Sequence, residues 1–407
     1  MTENTVQTTT SVVVIGGGYA GVMAANRLTR RAGVTVTLIN PRPAFVHRVR
    51  LHQLVGGSHD AVVAYEDVLA DGVRLVVDSV TRIDAAGHAL TLAAGGPLAY
   101  DYLVYAVGSG SAHGSGVPGA AEFALPVATL EEAGRLRTAL DAEPASAPVT
   151  VVGAGPTGIE TAAELAEAGR TVTLVCGGVL GPYLHPRGRR SVARHLGRLG
   201  VTVVEGADAE VTAVTRDAVR LADGRALPSR VTVWTAGFGV PDLAVRSGLT
   251  TDAVGRLLTD ETLTSVDDPH IVAAGDSAAP SGLPLRMSCQ SAMPQGARAA
   301  DTVLSRLAGE RPEELHQSYY AQCVSLGRGA GVFQLANRAD VAVGFHVDGR
   351  LGARFKEIAC TSIHKQLVGE ARKPGSYRLH RLAGGAAKRR QLLLAAHADR
   401  EQTPANR

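Results

Sequence analysis

Residues 12–21 read V-V-V-I-G-G-G-Y-A-G, a run of β-branched residues that stops at three glycines and passes directly into a helical pattern. Gly16, Gly18 and Gly21 fill the glycine positions of G-x-G-x-x-G. In that pattern the first glycine permits a tight turn, the second lets a pyrophosphate approach the backbone, and the third lets the helix pack closely on the strand. The helix N-terminus then offers free N–H groups and a partial positive charge to the phosphates. One such motif is common among α/β proteins, but this one is echoed. Residues 149–158 read V-T-V-V-G-A-G-P-T-G, with Gly153, Gly155 and Gly158 in the same places. The repetition predicts two dinucleotide-binding α/β folds in one chain.

Around the first loop the pattern predicts a buried strand at 11–15, a helix at 19–31 and a second strand at 34–39 that ends at Asn40. An acidic residue is expected there to hold a ribose hydroxyl. Asn40 carries no charge, and with Pro41 behind it serves equally well as turn chemistry. Residues 45–57 are dense in histidine and arginine beside apolar residues. There His47, Arg48, Arg50 and His52 either line a cofactor or acceptor pocket or form a solvated helix face. Short strands at 73–77, 80–84 and 88–92 read as a meander, and a buried strand at 103–107 stops at Gly108.

Around the second loop a strand at 149–152, a helix at 157–168 and a strand at 172–175 repeat the order, and again no acid follows. A carboxylate at that point selects NADH, so its absence leaves NADPH open. Arg187, Arg189 and Arg190 could meet a 2′-phosphate or simply be exposed on a helix. Further strands are expected at 201–204, 211–214, 219–221, 231–234 and 271–274, and a helix at 294–307. Beyond residue 311 the pattern predicts an antiparallel hairpin at 323–326 and 331–335. Strands at 341–346 and 351–355 would then flank a V-D-G-R turn.

The chain has 407 residues, a net charge of +3, 45% hydrophobic and 19% charged residues, the balance of a globular enzyme and not of a nucleic-acid binder. Its four cysteines, at 176, 289, 323 and 360, have neither C-x-x-C spacing nor a paired framework, so no disulfide set and no metal site is expected. Residues 1–10 read as a disordered leader without signal-peptide character. No apolar run reaches the ~18 residues of a membrane span. The tail from Lys365 carries Arg372, Lys373, Arg378, Arg381, Lys388, Arg389 and Arg390 around Leu392–Leu394. It is either a peripheral contact with an anionic membrane surface or a solvated, frayed helix.

The two loops, A-V-G-S at 106–109, W-T-A-G-F at 234–238 and A-A-G-D-S at 273–277 together resemble the two-dinucleotide flavoproteins of the pyridine-nucleotide disulfide oxidoreductase superfamily. The resemblance spans roughly residues 11–310. It implies FAD in the first fold and NADH or NADPH in the second. The cofactor-binding residues would be Gly16, Gly18, Tyr19, Ala20, Gly21, Asn40, Arg48, Ala106, Gly108, Gly153, Gly155, Gly158, Gly237, Gly275, Asp276 and Ala292. The implied organisation is α/β, with two Rossmann-like domains and a small C-terminal α+β region. An FAD-binding domain would be formed by 11–115 and 241–310, a NAD(P)-binding domain by 116–240, and the C-terminal domain with its basic tail by 311–407.

Residues 41–60 contain no cysteine, which excludes dithiol and single-cysteine chemistry of the glutathione-reductase and peroxidase kind. The branch that fits resembles type II NADH:quinone dehydrogenases and apoptosis-inducing-factor-like quinone reductases. Thr157-Gly158-Ile159-Glu160 is similar to that branch's G-P-T-G-V-E, and C-Q-S-A-M-P-Q-G at 289–296 to its A-Q-x-A-x-Q-x-G quinone segment. Gln290 keeps the first glutamine position, Pro294 replaces the second, and Gln295 follows one place late. By this resemblance Glu160, Gln290 and Gln295 are the catalytic candidates, with Glu164 a surface or interdomain residue. Hydride would pass from NAD(P)H to FAD and two electrons onward to a quinone or an aromatic metabolite. The alternatives are a tailoring oxidoreductase of a specialised metabolite and a redox-sensing or scaffold flavoprotein. The expected location is the cytoplasm, with the cytoplasmic membrane face and a homodimer left open.

Overall fold

The computed structural model describes residues 9–112, 116–316, 319–378 and 385–402. Most of the expected leader and Arg381 of the tail lie outside the described residues; Thr10 belongs to the first strand, Thr10–Ile15. That strand is the middle of a five-stranded, wholly parallel sheet. Val34–Asn40 and then Val73–Val77 lie on one side of it, Tyr102–Tyr105 and then Ile271–Ala273 on the other. Valines 12, 13 and 14 are fully buried, as a strand covered on both faces requires.

The second sheet repeats the plan. Pro148–Val152 is central, with Thr171–Val175 and Thr202–Val204 on one side and Val231–Trp234 and Ala124–Pro126 on the other, all parallel. Each sheet carries a three-stranded antiparallel flap, built from Val80–Asp84, Ala89–Leu92 and Leu98–Ala99 in the first and from Val211–Val214, Ala218–Leu221 and Ala226–Pro228 in the second. Residues 73–77 are therefore not part of a meander. Their parallel register with Val34–Asn40 is a long-range pairing that local alternation does not reveal.

Helix Tyr19–Leu28 stops three residues before the expected 31, where the Thr29 hydroxyl turns back to the Asn26 carbonyl. Against it packs the long helix Cys289–Leu307. A Cβ on Gly296 would stand 2.2 Å from the Ala20 carbonyl oxygen, so only glycine allows the two helices to approach this closely. That helix begins five residues before the expected Pro294. Ser288 caps it, accepting from Ser291 N–H, and Pro294 lies inside. An internal proline removes the donor to the carbonyl four residues back, here that of Gln290.

The C-terminal region is a three-stranded antiparallel sheet, Ala321–Ser325, Gly331–Ala336 and Ala342–Val347, followed by helix Gly349–Arg372. Residues 351–355 belong to that helix and not to a strand. A five-residue window is too short to separate a period of 2 from one of 3.6, and here the helix runs on for seventeen more residues without a proline. The tail helix, Gly385–Gln402, is anchored and not frayed at Arg389. Its guanidinium is buried, with both Glu261 carboxylate oxygens at 2.9 Å and the Pro280 carbonyl at 2.9 Å.

Candidate active site

The C-terminal ends of both parallel sheets and one face of the C-terminal region enclose a cavity of about 1000 Å³. Crevices of this kind form where loops leave the carboxyl ends of parallel strands. Its wall contains Gly16, Gly18, Tyr19, Ala20, Asn40, Arg48, Ala106, Gly108, Gly237, Gly275, Asp276 and Ala292, together with Glu160, Gln290 and Gln295. Gly21, Gly153, Gly155 and Gly158 are not among the lining residues; Pro156 and Thr157 represent the second loop there.

The two glycine loops have the same internal geometry. Gly16 and Gly153 take φ values of +102° and +121°, open to glycine and strained for other residues. A Cβ on Gly21 would fall 1.8 Å from the Gly16 carbonyl oxygen, and one on Gly158 would fall 2.0 Å from that of Gly153. At Gly18 and Gly155 a Cβ would meet nothing within 4 Å. The first and third glycines are thus fixed by the protein's own packing. The second borders open space beside a helix N-terminus, a cradle that fits a pyrophosphate.

Asn40 is committed to the first loop. Its Oδ1 accepts from Gly17 N–H at 3.0 Å and its Nδ2 donates to the Arg42 carbonyl at 2.9 Å. Arg48, Ser109 and Asp276 meet across three segments. The serine hydroxyl donates to Asp276 Oδ2 at 2.6 Å, while Arg48 Nη1 reaches Ser109 Oγ at 2.8 Å and Asp276 Oδ2 at 3.5 Å. The expected solvated face at 45–57 is not one, because His47, Arg50 and His52 are buried. His47 Nδ1 lies 2.6 Å from the Tyr19 hydroxyl, and burial with Arg50 nearby lowers its pKa to about 4.

The least expected feature lies where the two folds and the C-terminal region meet. Glu160 is buried on helix Pro156–Glu167, and its Oε1 receives Lys356 Nζ at 2.7 Å and Ser325 N–H at 2.9 Å. Its Oε2 is 3.7 Å from His52 Nδ1. Burial opposes the charge on Glu160, but the Lys356 ammonium, helped by the Ser325 N–H, outweighs it and holds the carboxyl below its usual range. Burial likewise opposes the Lys356 ammonium, and Glu160 restores it to well above the ordinary lysine value. His52, lowered to about 4 chiefly by burial, stays neutral at neutral pH. Its Nε2 and the Tyr183 hydroxyl are buried without partners among the described residues, and both residues line the cavity. Burial and ion pairing therefore put one ammonium, one carboxylate and two unsatisfied polar atoms against a largely apolar space.

Glu164, one helical turn further on, bonds the Ser58 hydroxyl and is buried, an interdomain contact and not a surface one. Gln290 and Gln295 diverge. Gln290 receives Arg286 Nη2 at 2.8 Å, whereas Gln295 is buried and accepts from Gly275 N–H at 3.2 Å, bracing the turn that carries Asp276. The one-place shift rotates Gln295 by about 100° around the helix. Arg187 and Arg190 are exposed on helix Pro186–Arg198, outside the cavity wall. Lys356, Cys323 and Tyr319 line the cavity without having been marked by any motif. Only the amphipathic period of residues 349–372 could have brought Lys356 to attention.

Two doubly wound folds, each with a glycine loop at the same strand end and sharing one cavity, define a two-dinucleotide oxidoreductase. The chain belongs to the pyridine nucleotide-disulphide oxidoreductase family, whose model matches residues 10–296. The NADH dehydrogenase-like protein Rv1812c of Mycobacterium tuberculosis is 33% identical over 357 residues, covering 80% of this chain and 87% of that protein. The type II NADH:quinone oxidoreductase Ndh of the same organism is 32% identical, over 76% of this chain and 75% of that one. Among solved structures, NDH2 from Plasmodium falciparum in complex with NADH has a TM-score of 0.74 at 15% identity, covering 90% of this chain and 98% of that one. At that identity the likeness is one of fold.

Proposed function

We propose that this chain is an FAD-dependent NAD(P)H oxidoreductase that delivers two electrons to a quinone-like acceptor. The observation that carries the reading is the buried Glu160–Lys356 pair facing one cavity shared by both glycine loops. FAD, when bound, supplies the two-electron chemistry between the nicotinamide and the acceptor. The protein supplies position and protons. Gly18 and the helix N-terminus behind it receive the FAD pyrophosphate, and Arg48, Ser109 and Asp276 orient the cofactor beyond it. Thr157 and the helix N-terminus at Pro156 receive the nicotinamide nucleotide. Reducing a quinone places negative charge on a carbonyl oxygen and ends with a proton there. Lys356 Nζ holds such a proton at the cavity wall, and Glu160 fixes the ammonium in place as the charge develops. The absence of cysteine from residues 41–60 agrees with a reaction that needs no protein nucleophile. Relatives named as NADH:quinone oxidoreductases support the acceptor class.

No helix among the described residues is long and apolar enough to cross a membrane. The support for peripheral contact lies in the C-terminal region more than in the tail. Leu351, Phe355 and Ile358 are exposed at helical spacing, with Val343 and Phe345 exposed on the preceding strand and Arg350 and Arg354 beside them. Phe355 stacks on Phe333 at 5.1 Å, and Phe333 lines the cavity. Such a face suits an anionic cytoplasmic leaflet that stores an apolar acceptor. It also offers a surface on which two copies could associate.

Anaerobic stopped-flow tests the reading. NADH or NADPH should bleach the bound flavin rapidly, and a soluble quinone should restore its absorbance rapidly. Lys356→Met should slow restoration more than bleaching. Bleaching without restoration would remove the quinone assignment and favour the tailoring or sensing alternatives.

A further inference from the structure

On the far side of the first sheet from the cavity, three side chains converge without any part in the redox chemistry. His88 sits in the turn between Val80–Asp84 and Ala89–Leu92, and Asp268 and His270 directly precede strand Ile271–Ala273. Asp268 Oδ2 is 3.3 Å from His88 Nε2, and Asp268 Oδ1 is 3.1 Å from His270 Nδ1. The two imidazole centroids are 4.5 Å apart, and one ligand atom from each of the three residues lies within 4.8 Å of the others.

We propose that His88, Asp268 and His270 form a binding site for a borderline divalent transition ion of the zinc type. Tetrahedral coordination with bonds of about 2.0–2.1 Å separates neighbouring ligand atoms by roughly 3.3 Å, which the His88–Asp268 edge already matches. Two imidazoles and one carboxylate with no thiolate select zinc-like ions over calcium or magnesium, which demand oxygen. The ligands are prearranged by the backbone. His88 is held at φ +45°, unusual for a residue with a side chain, and its carbonyl accepts from Tyr100 N–H at 2.9 Å. Asp268 Oδ1 also receives His270 N–H at 2.7 Å, fixing the carboxylate.

A separate observation points to a missing ligand. Tyr100 is only 3% exposed, and its buried hydroxyl has no partner among the described residues. Its ring lies against that of His88, the centroids 5.6 Å apart. Three protein ligands leave a fourth position for water, and such a water would give the Tyr100 hydroxyl its partner. The site joins the antiparallel flap to the edge strand of the first sheet, so its role is to clamp the FAD domain.

The test uses FAD-loaded, chelator-stripped full-length protein titrated calorimetrically with Zn²⁺. One equivalent should bind, and His88→Ala/His270→Ala should weaken that event by at least ~tenfold, the loss usual even for an outer-shell partner. Flavin absorbance and NADH turnover of the variant should be unchanged and report its folding. Zinc-edge X-ray absorption on the loaded wild type gives a readout independent of variants. A shell of nitrogen and oxygen with imidazole scattering is expected. A sulfur shell near ~2.3 Å would assign the ion to cysteine and overturn the proposal. So would an absence of binding, or equal affinity in the folded variant.

Discussion

Replacing Lys356 with methionine keeps most of its length and removes the one cation that balances Glu160. Ser325 N–H at 2.9 Å and neutral His52 at 3.7 Å remain around the carboxylate. A buried charge left in this state takes up one proton, on Glu160 or on His52. Protonating a carboxyl of ordinary pKa 4.5 at pH 7.5 costs three pH units, about 4 kcal/mol, and this is the ceiling. Protonating an imidazole of ordinary pKa 6.5 costs one unit, about 1.4 kcal/mol before its burial, and this is the floor. The variant should therefore lose ~1.4–4 kcal/mol relative to wild type at pH 7.5. Because its folded state binds the extra proton, the loss shrinks as pH falls, by up to about 1.4 kcal/mol per unit. At pH 5.5 it should be no more than ~1.4 kcal/mol. Urea unfolding of FAD-saturated wild type and variant at both pH values measures the difference, in which other titrations cancel. A second change, Glu160→Gln, should recover most of the loss. A pH-independent penalty, or a double variant as unstable as the single, would refute a buried ionic pair.

Three further outcomes are expected. Gly18→Ala should leave the fold within ~0.5 kcal/mol of wild type yet purify with depleted flavin, because its Cβ meets only the cradle; Gly21→Ala, aimed at the Gly16 carbonyl, should cost ~1–3 kcal/mol in the apoprotein, and thermal melts with flavin quantitation separate the two. His47 and His52, each lowered to about 4, bind protons more readily when unfolded, so wild-type stability should rise with pH between about 4 and 6.5 and lose this dependence above it; a flat denaturation profile across that window would contradict their burial. Arg389→Ala leaves Glu261 without its cation and should cost ~3 kcal/mol, whereas Arg390→Ala, one place on and exposed, should be near neutral in the same melts.

Much of the site was legible because it depends on local backbone. A strand, a tight glycine turn and a helix N-terminus are specified by ten consecutive residues, so both loops could be read and their third glycines explained by a contact within the same turn. Glu160 was legible for the same reason, the fifth residue of a helix that starts at a glycine loop. The charge partner of Glu160 was not. Lys356 stands 196 positions away, in a stretch whose first five residues read equally as strand or helix, and only the pairing of the C-terminal sheet with both folds brings it to the cavity. Burial had the same character. Residues 45–57 look solvated by composition, yet the packing of three segments around them makes His47 and His52 neutral and gives Arg50 a carboxylate partner in Glu357.

Sequence alone, then, determined the two parallel α/β folds, the glycine cradles and the lack of cysteine in residues 41–60, since these rest on short-range sterics and on residue identity. Tertiary structure decided which charges face one another, turning Asn40 inward to hold its own loop, seating Lys356 on Glu160 and joining His88 to Asp268 and His270. Coulomb energy and desolvation depend on distances of a few ångströms between segments far apart in the chain, and those distances exist only once the sheets have closed on each other.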